Sequence, residues 1–419
     1  MITKKNKGER EIVLVFGTDH TNTVGVCQSL GKAGYNIVAL LFGIRKDIVS
    51  ACKYVGRICW GENGEDCVRK ILSNQVMEGN NTPIICCCDK AALLVNEYGI
   101  QLKEKGFLHE HTTGPYPFAT IFAKDLQVKL AIESGFNVPK SWELKSLDEI
   151  PEAIVYPCLI KPLVSCHGAK SDIRICKNRE ELDYQFNTLE FTDRVLLQQY
   201  IERDYEISVI GCVLKDGECV IPAVEDKLSL WPRYVGLECL ANVHPLEDKD
   251  IISSIKNLIK KIGYVGVFSV EMMHCRLDNK FYFTEINLRN DGAQSFIFKY
   301  GVNLPAIHVC DLLDKPLPKA KKTKPGYYIW DVRHFALLRV RDISAWTWLK
   351  EICKSRGFLM FYWSDPKPFF RQYRSYYPIR FIRRKLHKNT EHPIPSNRML
   401  CKGFFSVKEA LISPAENYN

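Results

Sequence analysis

Two glutamates and an asparagine carry the clearest chemistry in this chain. They lie in the stretch GVFSVEMMHCRLDNKFYFTEINLRN, which begins at Gly266. The polar turn Leu277-Asp278-Asn279-Lys280 separates two apolar runs, which is the pattern of an antiparallel hairpin. Glu271 falls on the first strand. Glu285 and Asn287 stand two apart on the second, so both point to one face of the sheet. Two carboxylates and an amide oxygen are hard ligands suited to Mg²⁺. Magnesium binds through one or two carboxylates together with substrate phosphates, so a nucleotide should complete this site. Arg289, two residues further on, can meet a phosphate or carboxylate with its planar fork. The competing view is a surface hairpin of solvated acids. Phe281, Phe283 and Ile286 weigh against it, because they imply a sheet buried on at least one side.

Three further segments gain meaning beside this hairpin. In YPCLIKP, Lys161 ends an apolar strand and Pro162 keeps the next step extended. The small and polar residues 163–170 follow, including His167 and Lys170, and could wrap a phosphate chain. They do not form a Walker A loop, since GxxxxGK[ST] is absent. In VLLQQYIERDYE, an apolar strand leaves through Gln198, Gln199, Tyr200 and Ile201, a hinge able to offer backbone groups to a purine edge. Glu206, with Glu202 as its rival, is placed to accept hydrogen bonds from ribose hydroxyls. Lys124-Asp125 opens a helix-like stretch over residues 120–136. Each of these three segments alone is a weak or moderate signal.

The elements that must position these residues fall into two styles. The N-terminal unit has a strand over residues 12–16, a glycine-bearing turn, a helix and a second strand over 36–41, with a third over 82–87. This is a βαβ pattern with the near-continuous apolar strands of a parallel sheet. Its loop, residues 17–25, lacks GxGxxG, which disfavours a dinucleotide site. Asp19, His20 and Thr21 there are a possible substrate contact or a plain turn. From residue 138 onward, strands over 153–161, 171–176, 194–200, 206–214, 218–223, 266–275 and 280–287 mix with helices over 178–189 and 248–262. Short turns join several strands, as in an α+β unit. A Lys/Pro linker, PLPKAKKTKPG, precedes an aromatic-rich end.

With 419 residues the chain should hold two or three domains. Its 46% apolar and 25% charged residues are the balance of a soluble globular protein. The 17 cysteines are odd in number and scattered, which fits a reduced cytosol better than a disulfide framework. The net charge of +10 is concentrated: residues 367–402 hold ten Lys or Arg against one acid, Glu391. The preceding residues are nearly neutral, which argues against a nucleic-acid-binding surface. Three readings of the basic, aromatic stretch 364–402 compete. They are a solvated extension, peripheral contact with an anionic membrane, and binding to nucleic acid or another polyanion.

In this order the segments resemble the ATP-grasp superfamily, over about residues 12–315. The quoted set is Lys124-Asp125, GFNVP, LIKP, a small-residue loop, LLQQYI with a following Glu, and the E…EINLR hairpin. The resemblance implies an α/β and α+β fold class. A Rossmann-like domain (1–118) precedes a lid with its linking helix (119–205), a C-terminal ATP-grasp subdomain (206–316) and a basic, aromatic extension (317–419). It implies ATP and two Mg²⁺ ions, with Mn²⁺ as a substitute. Lys124, Lys161 and Lys170 would contact phosphates. Gln198, Tyr200 and Ile201 would line the adenine hinge, and Glu206 would hold the ribose. Glu271, Glu285 and Asn287 would bind the metal ions. Arg289 and Lys161 would stabilise the transferred phosphoryl group or the tetrahedral intermediate.

The implied reaction activates a carboxylate as an acyl phosphate, which an amine then displaces. The narrower likeness is to D-aspartate ligase and carbamoyl-phosphate-synthase-like enzymes, which suggests an amino acid or cell-envelope substrate and a homodimer. A regulator without turnover and an ATP-grasp kinase are the alternatives. Three features depart from the family pattern: a one-residue-longer stretch before Glu206 than in D-alanine–D-alanine ligase, a glycine-poor loop, and Leu288 where many members have proline.

Overall fold

Strand β1 (Ile12–Thr18) is buried at every position but its ends, its apolar run being covered on both faces. Helix α1 (Thr21–Lys32) returns the chain to the parallel neighbour β2 (Asn36–Phe42), and β3 (Val55–Trp60) extends that edge. On the other side lie β4 (Thr82–Cys86) and, after helices α2 (Gly64–Leu72), α3 (Asp89–Glu97) and α4 (Gly99–Glu104), the short β5 (Phe107–Leu108). The order β3-β2-β1-β4-β5 is a parallel, Rossmann-like sheet. The computed structural model describes residues 11–162, 174–188, 195–231, 237–321 and 323–376.

A two-residue strand β6 (His111–Thr112) leads toward α5 (Lys124–Glu133). The expected single helix over 120–136 is in fact two pieces. A 3-10 turn over Phe118–Phe122 comes first, and Ala123 is extended before α5 begins at Lys124.

The lid sheet has the order β7-β10-β8-β9 and is antiparallel. Its members are β7 (Ser141–Leu144), β8 (Cys158–Pro162), β9 (Arg174–Cys176) and β10 (Val195–Gln199), covered by α6 (Arg179–Thr188). Leu144, Cys158, Ile160, Cys176, Leu182, Val195 and Leu197 form its separate small core. The strand expected from residue 153 begins only at Cys158, since a turn at 152–153 and Pro157 interrupt the run.

The largest sheet is built from β11 (Arg203–Val213), β12 (Cys219–Trp231), β13 (Leu237–His244), β14 (Tyr264–Cys275) and β15 (Lys280–Asn287). Helix α7 (Lys249–Ile262) is a clear case of local coding. Asp248 caps its first turn by accepting from the Asp250 and Ile251 amides, Gly263 closes it at φ 68°, and Ile251, Ile255, Leu258, Ile259 and Ile262 form its buried stripe. That stripe packs on one face of the sheet with α5. Helices α8 (Gln294–Tyr300) and α9 (Leu304–Leu312) join the other core, which they share with α1. The helices α1 and α8 approach so closely that a Cβ at Gly25 would lie 2.1 Å from Ser295 Oγ.

The described residues after the Lys/Pro segment, 323–376, do not form a separate appendage. Strand β16 (Gly326–Ile329) pairs antiparallel with β13 and covers its edge. Helices α10 (Asp331–Arg339) and α11 (Ala345–Lys354), strand β17 (Gly357–Phe358) and helix α12 (Lys367–Tyr376) complete the described chain. The sheet order is therefore β15-β14-β11-β12-β13-β16-β17, with β6 pairing β14 off that path. The boundary expected at residue 316 thus cuts through one sheet. Buried Asp365 also ties this region to the first domain, accepting from Gln28 Nε2 at 3.0 Å and the Lys53 amide at 3.1 Å. Phe369 packs against the shared core, whereas Phe370 is exposed. Residues 377–402 lie outside the described residues.

Candidate active site

The hairpin chemistry rests on register. Glu271 and Glu285 are direct cross-strand partners on β14 and β15, and Ser269 is opposite Asn287. Direct partners share a sheet face, so Glu271, Glu285 and Asn287 converge as expected. Asn287 Nδ2 reaches Ser269 Oγ at 3.4 Å and Glu285 Oε1 at 3.5 Å, and its Oδ1 accepts from Arg289 Nη2 at 3.3 Å. Burial raises the pKa of Glu271; Lys227 opposes the rise, and Glu285 and Asp291 add to it. Two carboxylates forced together in this way favour an added cation. Among the described residues, no group of three or more His, Cys, Asp or Glu could hold a metal ion alone.

Helix α5 is locked to the same hairpin. Gln127 donates from Nε2 to the Ile286 carbonyl at 3.1 Å and to the Ile121 carbonyl at 2.9 Å, while its Oε1 accepts from the Ile286 amide at 3.2 Å. The side-chain amide thereby satisfies the backbone between Glu285 and Asn287 on an edge strand. Lys124, at the N-terminus of α5, is held close to this edge.

From the lid, Lys161 faces the hairpin. Its pKa falls from 10.5 to about 8, first through burial and then through Lys124, with Glu285 opposing. Lys161, Lys124 and Glu285 are therefore electrostatic neighbours. Lys161 Nζ donates to Gln198 Oε1 at 3.0 Å, and Gln198 Nε2 donates to Ser141 Oγ at 2.8 Å. Gln198 thus uses its side chain to hold the lysine. Tyr200 and Ile201 lie in the connection between β10 and β11, where the lid sheet meets the large sheet.

Glu206 and Glu202 separate clearly. Glu202 pairs with Arg276 beside the β14–β15 turn. Glu206 shares the sheet face of Glu271: it is opposite Lys227 on β12 and Met273 on β14, and it pairs with Arg203. Lys227 lies between the two chemistries, with Nζ 3.0 Å from Glu271 Oε2 and 3.7 Å from Glu206 Oε2. Burial disfavours its charge, but Glu271, Glu238, Glu206 and Glu225 together raise its pKa well above normal. The sequence reading missed Lys227 because it ended this strand at residue 223. The alternation Ala223, Glu225, Lys227 was the available signal.

Arg289 is held by Asp89 Oδ1 at 2.9 Å, Asp291 Oδ2 at 2.8 Å and Asn287 Oδ1 at 3.3 Å. Burial works against its charge, but Asp291 and Asp89 outweigh it and keep the guanidinium protonated. Asp89 belongs to α3, so the first domain helps orient the hairpin arginine. Neither aspartate was expected from the sequence.

The N-terminal loop divides. Asp19 is structural: its carboxylate accepts the amides of Lys46, Asp47, Ile48 and Val49. Thr21 is buried against His20, its Oγ1 3.3 Å from Nδ1. His20 caps α1, accepting from the Asn22 amide at 3.4 Å. Its pKa drops to about 4 through burial, with Lys46 and Arg333 adding to the drop and Asp19 and Asp291 opposing it. His20 therefore stands neutral where the first domain meets the large sheet. Lys170 and His167 lie outside the described residues. The fifteen described cysteines are all free thiols, and no described helix is long and apolar enough to cross a membrane.

Comparison with known proteins places this geometry. Residues 129–296 match the model of the ATP-grasp domain. Formate-dependent phosphoribosylglycinamide formyltransferase of Bacteroides fragilis is 23% identical over 217 residues, which cover 49% of this chain and 55% of that protein. The chain thus spans about half the length of the curated relatives it matches. N5-carboxyaminoimidazole synthetase from Staphylococcus aureus superposes with a TM-score of 0.62 at 14% identity, covering 80% of this chain and 87% of that one. L-amino acid ligase from Bacillus licheniformis superposes with a TM-score of 0.55 at 15% identity, covering 76% and 79%. The domain match and the acidic hairpin agree that residues 129–296 form an ATP-grasp domain, and the superposition shows that the fold around it is shared.

Proposed function

We propose that the chain is an ATP-dependent carboxylate–amine ligase. The observation that supports this most is the Glu271–Glu285 register pair with Asn287, facing Lys161 and Lys124 across the lid cleft. ATP would lie between the lid and the large sheet, its adenine at residues 198–201 and its ribose near Glu206. Lys124, Lys161 and Lys227 would neutralise the phosphates, and Lys170 would join them. Glu271, Glu285 and Asn287 would hold one or two Mg²⁺ ions, which supply charge neutralisation at the β- and γ-phosphates when bound.

The substrate carboxylate attacks the γ-phosphorus, giving an acyl phosphate and ADP. An amine nitrogen then forms the C–N bond as the C–O bond to phosphate breaks. Fixed cations aimed at the developing charge lower both barriers, so no nucleophilic side chain is required. Arg289, held by Asp89 and Asp291, is pre-aligned for this task. A ligase named for L-amino acids among the structural neighbours supports an amino acid as one substrate. Peripheral membrane contact through residues 364–402 and homodimerisation belong to the same proposal.

An ADP-release screen of carboxylic acids paired with amino acids tests the proposal. Equal release of ADP and free phosphate with a ligated product supports it. A stable phosphorylated product would mean kinase chemistry instead.

A further inference from the structure

Glu225 is the most anomalous charged residue in the described chain. It is fully buried on β12, and neither carboxylate oxygen has a hydrogen-bond partner among the described residues. Such a group costs several kcal/mol unless a proton or a cation answers it. Burial and the acids Glu238, Asp291 and Glu271 raise its pKa well above normal, with Lys227 opposing. The nearby cations are already committed. Lys227 is bonded to Glu271 at 3.0 Å, and Arg289 lies between Asp89 and Asp291. Arg333 of α10 lies over the Trp330 ring at 3.2 Å and reaches the Glu238 carbonyl at 3.4 Å.

Position gives this imbalance a meaning. Ser208 on β11 is opposite both Glu225 and Glu271, and Glu271 is opposite Glu285. Glu225 therefore stands in the same row and on the same face as the acidic pair. It lies two strands away from Glu271, about 10 Å at the usual strand spacing. Glu225 thus shares the sheet face that carries the residues proposed to hold Mg²⁺ and the phosphates. At the edge of this region the six-membered end of the buried Trp330 ring lies close to Gly292, beside Asp291.

We propose that the pocket bounded by Glu225, Glu238 and Asp291 receives the ammonium group of the amine substrate. This rests on the ligase reading above. Glu225 takes one proton from the ammonium, which frees the nitrogen lone pair. The nitrogen bonds to the acyl carbon, the C–O bond to phosphate breaks, and the second nitrogen proton leaves with the phosphate. Neutral His20, facing Asp291 from the first domain, adds no competing positive charge.

The test uses the full chain with Mg·ADP present and measures binding by calorimetry. The probes are the L- and D-forms of alanine, aspartate and lysine, beside their N-acetyl derivatives. The expected result is binding of at least one free amino acid, no binding of its N-acetyl form, and roughly tenfold or greater weakening in Glu225→Gln. Glu238→Gln should weaken it in the same direction, which protects the test if the first variant misfolds. Mg·ADP affinity should stay within twofold in both variants. Equal binding of acetylated and free forms would overturn the proposal. So would unchanged amino-acid affinity in both variants, which would make Glu225 a protonated structural acid. Binding of none of the probes while Mg·ADP binds would also overturn it. Loss of Mg·ADP binding by the wild-type chain would instead overturn the ATP reading.

Discussion

Gln127 and Ile286 form a side-chain-to-backbone pair that joins helix α5 to the outer strand of the large sheet. The glutamine amide both donates to and accepts from Ile286, as a neighbouring strand would. Ile286 lies between the two β15 residues proposed to hold Mg²⁺, Glu285 and Asn287, so one side chain fixes both their strand and the helix that begins at Lys124.

Gln127→Leu should therefore act on stability and on the site together. It leaves a buried amide and carbonyl of Ile286 without partners, at a cost of about 2 kcal/mol or more. Urea unfolding should report that loss, and nucleotide affinity should fall because Lys124 and the β15 edge lose their common anchor. A variant with wild-type unfolding and affinity would deny the clamp its role.

Lys161 makes a pH prediction with a definite sign. Its folded pKa of about 8 lies below the ordinary 10.5. Between those values the unfolded chain binds more protons, so without nucleotide this residue makes stability rise with pH over that window. Phosphates favour the charged lysine, so Mg·ATP should bind with net proton uptake near pH 8.5. Calorimetry in buffers of different ionisation enthalpy should detect that uptake. It should vanish in Lys161→Arg, whose guanidinium does not titrate there.

Lys227 holds apart carboxylates that would otherwise repel one another. Lys227→Met should destabilise the fold by about 3 kcal/mol at neutral pH, the cost of stranding buried charges. The variant's Glu271 and Glu225 then rise still further above the unfolded value. The folded state binds the extra protons, so the penalty should shrink as pH falls toward 5. Thermal melts of both proteins from pH 5 to 8 check this; a pH-independent difference would contradict it.

Much of the fold was legible because its signals are local. The apolar strands β1, β2 and β4, the capped stripe of α7 and the hairpin turn before Lys280 each carry their own pattern. The hairpin set Glu271, Glu285 and Asn287 was readable because strand alternation fixes faces. Lys227, Gln127, Asp89 and Asp291 were not, because their roles depend on contacts between segments distant in sequence. Asp19 resolves an open pair of readings in favour of the plain turn, since its carboxylate accepts four backbone amides.

The C-terminal boundary was misplaced for a related reason. The Lys/Pro run reads as a linker, yet the chain returns to pair β16 with β13. A fragment ending at residue 316 should therefore fail to fold cooperatively, since it exposes the β13 edge and the core around Tyr328 and Trp330. Circular dichroism melts of soluble fragments decide this. A fragment of residues 1–316 that melts like the full chain would restore the appendage view.

The central claim is that the acidic hairpin serves ATP-driven carboxylate activation. The most direct measurement compares wild type with Glu285→Gln for Mg-dependent release of ADP and phosphate, on the substrate pair that the screen identifies. The variant should keep its near-ultraviolet dichroism and lose roughly a hundredfold or more in rate, with weaker Mg·ATP binding. Undiminished phosphate release from a folded Glu285→Gln protein would contradict the account.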